Sequence, residues 1–177
     1  MIKIFLCFLF SSIAKVITPC ENIHPNVLTP LKEIAFDMNR IGFPLKINEN
    51  KTRNSICQKT TSEYFGVCIT YNYNYNKSVF EPEIDNEIKT AIYISHRLLF
   101  TPNTLFNVLY HEILHFYSAE HSQYPGLMNY SVKKNKFNLV SDDFNKLYPS
   151  IYDIRMILNS DKSIRRKFKM YKKIFKI

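Results

Sequence analysis

Eleven residues, HEILHFYSAEH from His111 to His121, constrain this chain more than any other stretch. His111 and His115 are four apart, so on a helix both imidazoles lie on one face, one turn apart. That is the spacing two zinc ligands need. Glu112 points about 100° away around the axis. It therefore stands beside such a metal without ligating it, where a general base belongs. His121 lies six residues past His115, and a continued helix would aim it elsewhere. To reach the same ion, the helix must end near residue 118 and the chain must turn back. Ser118 then occupies a place where a left-handed glycine is the usual device. A non-glycine there costs on the order of 1–2 kcal/mol, which a site worth on the order of 10 kcal/mol tolerates. The alternative is an ordinary histidine-rich helix. It leaves a third histidine at the required place, and Met128 further on, as coincidences.

H-E-x-x-H followed by a third histidine six residues on is similar to the metzincin signature, H-E-x-x-H-x-x-G-x-x-H, at every ligand position but not at its glycine. The resemblance narrows to matrixins, the matrix-metalloproteinase-type catalytic domains. Leu105–Tyr110 resembles their lead-in to the motif. His121-Ser-Gln-Tyr-Pro125-Gly-Leu-Met128 resembles the stretch that follows it, one residue shorter. Ser141-Asp142-Asp143 through Tyr148 resembles their last helix. Similarity covers roughly residues 103–148 and is faint upstream, where Ala35-Phe36 and Phe43-Pro44-Leu45 resemble a first long helix and the strand after it.

The resemblance implies a fold and a set of roles. The fold is α+β and zincin/metzincin-like, with a small twisted mixed sheet, an active-site helix, an N-terminal helix and C-terminal helices. His111, His115 and His121 would bind one catalytic zinc, Glu112 would be the general base, and Met128 the Met-turn residue. Met128-x-Tyr130 instead resembles astacins and serralysins, in which that tyrosine approaches the zinc. Tyr130 is thus either a donor to the oxyanion or a wall of the specificity pocket. The Gly-rich loops and extra His/Asp ligands of matrixins are absent, so no strong calcium site is expected. The acidic stretch Glu81–Glu87 lacks calcium-loop spacing and reads as a solvated loop. Matrixins are silenced by a propeptide cysteine, and Thr18-Pro19-Cys20-Glu21 is a faint echo of that P-R-C-G switch.

The implied activity is a secreted zinc-dependent endopeptidase acting on extracellular proteins. Its substrate would pair in extended form with a sheet edge, for which Lys89–Ser95 is the candidate. The alternative is a zinc-binding secreted effector of the same fold with little proteolysis, working through its tail. Ser118 and the shortened loop keep that alternative open. A membrane-active basic protein without enzymatic function is a third option.

Export is expected from residues 1–14. Lys3 precedes the apolar run Ile4–Phe10, and Ser12-Ile13-Ala14 is a small-x-small cleavage site. That run is too short to span a bilayer. A catalytic domain would then occupy 15–160 and a tail 161–177. Export permits disulfides. With Cys7 removed, Cys57 and Cys68 flank a short polar stretch that reads as a hairpin. They are the expected disulfide pair, which leaves Cys20 odd. Asn50, Asn76 and Asn129 begin N-x-S/T triplets.

The net charge of +9 is uneven. Residues 161–177 carry eight Lys/Arg against one Asp, a net +7, and Lys3 carries one more, leaving +1 over 15–160. No specific nucleic-acid surface is expected, and a monomer is. In the tail, Ile164, Phe168, Tyr171 and Phe175 form one helical stripe. It either packs on the domain or attaches to an anionic membrane or a glycosaminoglycan.

Local signals give the remaining elements. Thr29-Pro30 opens a helix whose apolar positions Leu31, Ile34, Ala35, Met38 and Ile41 recur at helical spacing before Gly42 and Pro44 stop it. Strands are expected at 45–50, 65–71 and 89–95, and a loop at Tyr71–Asn76. The strongest helix spans 103–118. Another opens at Ser141 with acids in its first turn.

Overall fold

A computed structural model of the chain describes residues 14–50, 52–60, 64–70, 90–129 and 145–160. The described residues form a mixed α/β domain. In chain order the elements are β1 (Lys15–Pro19), α1 (Pro25–Arg40), β2 (Leu45–Ile47), β3 (Asn54–Lys59), β4 (Gly66–Thr70), β5 (Thr90–Ser95), a 3-10 turn (His96–Leu98), α2 (Pro102–Phe116) and α3 (Ile151–Ser160). The strands make one sheet in the order β2-β1-β3-β5-β4. β2, β1, β3 and β5 run parallel, and β4 is antiparallel to β5. Among the described residues no helix is long and apolar enough to cross a membrane.

α1 buries the expected stripe of Leu31, Ile34, Ala35 and Met38, but it begins four residues before Thr29. His24 is the N-cap: its Nδ1 accepts from the Asn26 N–H at 3.1 Å. Pro25 takes the first helical position, leaving Pro30 inside the helix. An interior proline costs about 3 kcal/mol. The extra turn buries Val27 completely, which returns about 1.5–3 kcal/mol. At its far end Gly42 N–H donates to Asn39 O and Phe43 N–H to Met38 O, with Gly42 at φ 94°. This pair of bonds is a Schellman reversal, and it requires the left-handed conformation that glycine adopts freely.

Every residue of β5 is buried. The apolar run Ala91–Ile94 sits between β3 and β4, so the ladder on each side uses its backbone groups. β5 is therefore not the open edge expected of Lys89–Ser95. Among the described residues the edges are β2 and β4.

The same strand order overturns the Cys57–Cys68 pairing. β5 separates β3 from β4, so these cysteines lie two strand spacings apart, roughly 9–10 Å. A disulfide spans at most about 7 Å between Cα atoms. Cys57 instead bonds to Cys20 across the parallel β1–β3 pair, with Cα atoms 5.1 Å apart. The register Pro19↔Ile56 places the next residue of each chain side by side. Among the described residues Cys68 is the free thiol. Burial, reinforced by the nearby Glu112 charge, pushes it up to about 12.

The helix expected from Ser141 is not continued through the described residues: 145–150 are irregular, and 141–144 lie outside the described set. Pro149 disfavours helical backbone at Tyr148, the residue before it. The strap 145–148 is fixed to the helices. Asn107 on α2 donates from Nδ2 to Asn145 O (2.9 Å) and accepts from Leu147 N–H at Oδ1 (2.7 Å). Glu33 on α1 accepts from Lys146 Nζ (2.6 Å) and from the Tyr148 hydroxyl (3.1 Å). The last helix begins only after Ser150.

Tyr71–Asn76, Glu81–Glu87, Tyr130 and the tail 161–177 lie outside the described residues.

Candidate metal centre

α2 is apolar nearly all round, burying Leu105, Phe106, Val108, Leu109, Tyr110, Ile113, Leu114 and Phe116. It therefore lies inside the core, and His111 and His115 are only half-buried where one face opens. A core helix holds its side chains in fixed rotamers, which suits a ligand pair.

The helix ends as the third histidine requires. Ser118 stands at φ 66°, the only positive φ outside glycine among the described residues. Its N–H donates to His115 O (2.7 Å), and the Ala119 N–H donates to Leu114 O (3.0 Å). These are the two bonds made at Gly42, here with serine in the strained place. The reversal brings His121 back. Its Nε2 lies 3.1 Å from that of His111 and 3.2 Å from that of His115, and the first two are 3.1 Å apart.

The donor set fits a metal ion. His111 Nδ1 faces Leu127 O at 2.7 Å and His115 Nδ1 faces Ala119 O at 2.8 Å. A carbonyl only accepts, so each Nδ1 carries the proton and a neutral ring presents its lone pair at Nε2. Lone pairs converging at such distances repel unless a cation lies between them. Tetrahedral zinc, with nitrogen at about 2.0–2.1 Å, spaces its ligand atoms by about 3.3–3.4 Å. The three histidines are also the group of potential ligands that the described residues bring together.

Glu112 is 6% exposed and outside the ligand set. Its surroundings include the edge strand. A Cβ at Gly66, the first residue of β4, would lie 2.7 Å from Val108 Cγ1, 2.9 Å from Glu112 Cγ and 3.1 Å from Glu112 Oε1. Only a residue without a side chain lets β4 pass this close. Gly66→Ala is expected to displace Glu112 or push β4 off α2, at a cost of about 1–3 kcal/mol that denaturant unfolding would read.

Met128 is fully buried in the turn that orients His111. The turn is closed by Ser122 N–H donating to Met128 O (2.7 Å). It is held from below by Asp153, a fully buried carboxylate on α3. Asp153 Oδ2 accepts from Leu127 N–H (3.1 Å) and Oδ1 from Met128 N–H (3.0 Å). Asp153 also caps its own helix: Oδ2 accepts from Ser150 N–H (2.7 Å), and the Asp153 N–H donates to Ser150 Oγ (3.3 Å). Gly126 makes room, since a Cβ there would fall 2.5 Å from Ser150 Oγ and 2.7 Å from Asp153 Oδ1.

Sequence reasoning brought together His111, His115, His121, Glu112 and Met128, and it missed Asp153, Gly66 and the capping of α3. The signal for α3 was present: Ser150-x-x-Asp153 after a proline is a capping-box pattern. Cys20, considered as a thiol plug for the metal, is held in its disulfide. In comparisons with known proteins, no family model and no curated protein matches this chain.

Proposed function

We propose that the chain is a secreted zinc-dependent endopeptidase with a metzincin-type fold, nearest in pattern to matrixins. One observation carries this reading: three imidazoles with protons directed away converge their Nε2 atoms within 3.2 Å, while a buried glutamate on the same helix stays outside the set. A mixed sheet with the ligand helix packed in its core agrees with it.

His111, His115 and His121 would hold the zinc, which supplies a Lewis acid for the scissile carbonyl and acidifies water towards a pKa of about 7. Glu112 receives the proton of the attacking water and passes it to the leaving amide nitrogen. Burial against α2 and β4 keeps its carboxylate at a fixed place between those two transfers. β4 replaces Lys89–Ser95 as the strand on which an extended substrate pairs, because among the described residues no strand lies beyond it and its first residue lies against Glu112. Ser118 occupies the left-handed reversal that this reading requires of it.

Metal analysis of the purified secreted protein, paired with cleavage of a generic unfolded protein, tests the reading. About one zinc per chain is expected, with cleavage lost on chelation or with a hydroxamate and restored by zinc, and with calcium making no difference. Zinc-loaded protein that cleaves nothing would leave the non-proteolytic effector in its place. Absence of stoichiometric zinc would remove both.

A further inference from the structure

The reversal after α2 carries two of the three ligands. Ala119 O orients His115 through its Nδ1, and the chain reaches His121 two residues later. Yet the reversal is built on a serine in the left-handed region, where α1 uses Gly42 for the same pair of bonds. Those two bonds occupy the carbonyls of Leu114 and His115. The carbonyl of Phe116, the last helical residue, is met from another part of the fold. Lys15, the first residue of β1, donates to it from Nζ.

The same ammonium lies 4.7 Å from the ring centroid of Phe116 and 4.9 Å from that of Tyr117. Tyr117 is anchored in turn. Its hydroxyl donates to Pro44 O at 2.8 Å, the carbonyl that also accepts from the Lys15 backbone N–H at 2.9 Å. Phe43 packs edge-on against the Tyr117 ring, with centroids 6.0 Å apart. Both residues preceding Ser118 are thus tied to the start of β1 and the turn into β2. A cation at this end of α2 also opposes the negative pole of the helix.

We propose that Lys15 is a positioning residue for the metal centre. It holds the strained reversal at Ser118 in the one conformation that aims Ala119 O at His115 and returns His121 to the other two rings. This rests on reading the three histidines as metal ligands. Lys15 acts through Phe116 and Tyr117, the two residues before Ser118. The serine is tolerated where glycine would be free because this clamp supplies from β1 what the residue type does not.

The test compares wild type, Lys15→Met, Lys15→Arg, Ser118→Gly and the double variant Lys15→Met/Ser118→Gly. Each is expressed as the full chain and checked by intact mass for the same N-terminus. Methionine keeps the apolar stem and removes charge and donors. Cobalt(II) titration, read by absorbance, should show Lys15→Met binding about ten- to a hundredfold more weakly than wild type, the range for losing an outer-shell support. Lys15→Arg should stay near wild type. Ser118→Gly in the Lys15→Met background should recover most of the loss, since glycine adopts the reversal unaided.

Amide exchange on the metal-free protein gives an independent readout. Lys15→Met should speed exchange at Ser118 and Ala119 and leave the β5 amides Thr90–Ser95 unchanged. Unaltered cobalt affinity in Lys15→Met would overturn the proposal. So would a loss that persists in full in the double variant, or exchange that accelerates equally everywhere, since each makes Lys15 an ordinary fold contact. If wild type binds no metal, the metal-centre reading fails instead, and exchange at 118–119 still reports separately whether Lys15 clamps the turn.

Discussion

Glu112→Gln is expected to retain one zinc per chain and to lose peptide hydrolysis by roughly a hundred- to ten-thousandfold, the share a positioned general base contributes. The separation follows from where the residue stands. The helical step from His111 turns Glu112 about 100° from the ligand face, so its removal takes nothing from the donor set. Glutamine keeps the volume that Gly66 and Val108 pack against, so the β4 edge should stay in place. It has no basic oxygen to receive a proton and none to return to a leaving nitrogen. Steady-state cleavage of a fluorogenic peptide, with metal content measured on the same samples, checks both halves. Hydrolysis within a few-fold of wild type would remove Glu112 from the mechanism. Loss of zinc would place it among the ligands or their support.

Asp153→Ala should be among the most damaging substitutions in the described residues outside the three histidines. One carboxylate accepts N–H bonds from Leu127, Met128 and Ser150, and it is fully buried. Removing it strands three donors that water cannot easily reach. Hydrogen bonds to a charged acceptor are worth about 1.5–3 kcal/mol each, and partial relaxation brings the expected loss of stability to about 3–5 kcal/mol. The consequence extends to the metal. Leu127 offers its N–H to Asp153 and its carbonyl to His111 Nδ1, so loosening the turn frees the His111 ring. Zinc affinity should fall about ten- to a hundredfold in the fraction that remains folded. Denaturant unfolding and zinc competition titration measure the two effects. An unfolding midpoint unchanged from wild type would show that the turn is held by other contacts.

These two residues differ in how far they could be read in advance. Glu112 is fixed by its place next to His111, because helical geometry acts over a few residues. Asp153 acts on a turn 25 positions earlier, whose own sequence gives no sign of it. Only the Ser150-x-x-Asp153 spacing hints at a capping role, and a cap alone does not reveal that the same carboxylate supports Met128. Lys15 lies further still, 101 residues from the carbonyl it caps.

The cysteines and strands follow the same division. A short separation between Cys57 and Cys68 suggests a hairpin when neighbours in sequence are taken as neighbours in space. The chain instead inserts β5 between β3 and β4, and that insertion decides both the disulfide and which strand is an edge. α1 was legible along its apolar stripe and not at its start. Pro30 was expected as the first helical residue, but Pro25 holds that place and Val27 is buried in the added turn.

By itself the sequence determined the one-turn spacing of His111 and His115, the flanking glutamate, the reversal at Ser118 needed to bring His121 back, and the apolar faces of the helices. All of these depend on local periodicity and backbone sterics. The tertiary structure alone decided what supports them: the Cys20–Cys57 bond, the β4 edge at Gly66, the Asp153 anchor and the Lys15 clamp. Each of those depends on strand order and helix placement, which are set by how the whole apolar surface is buried and which no short window of residues encodes.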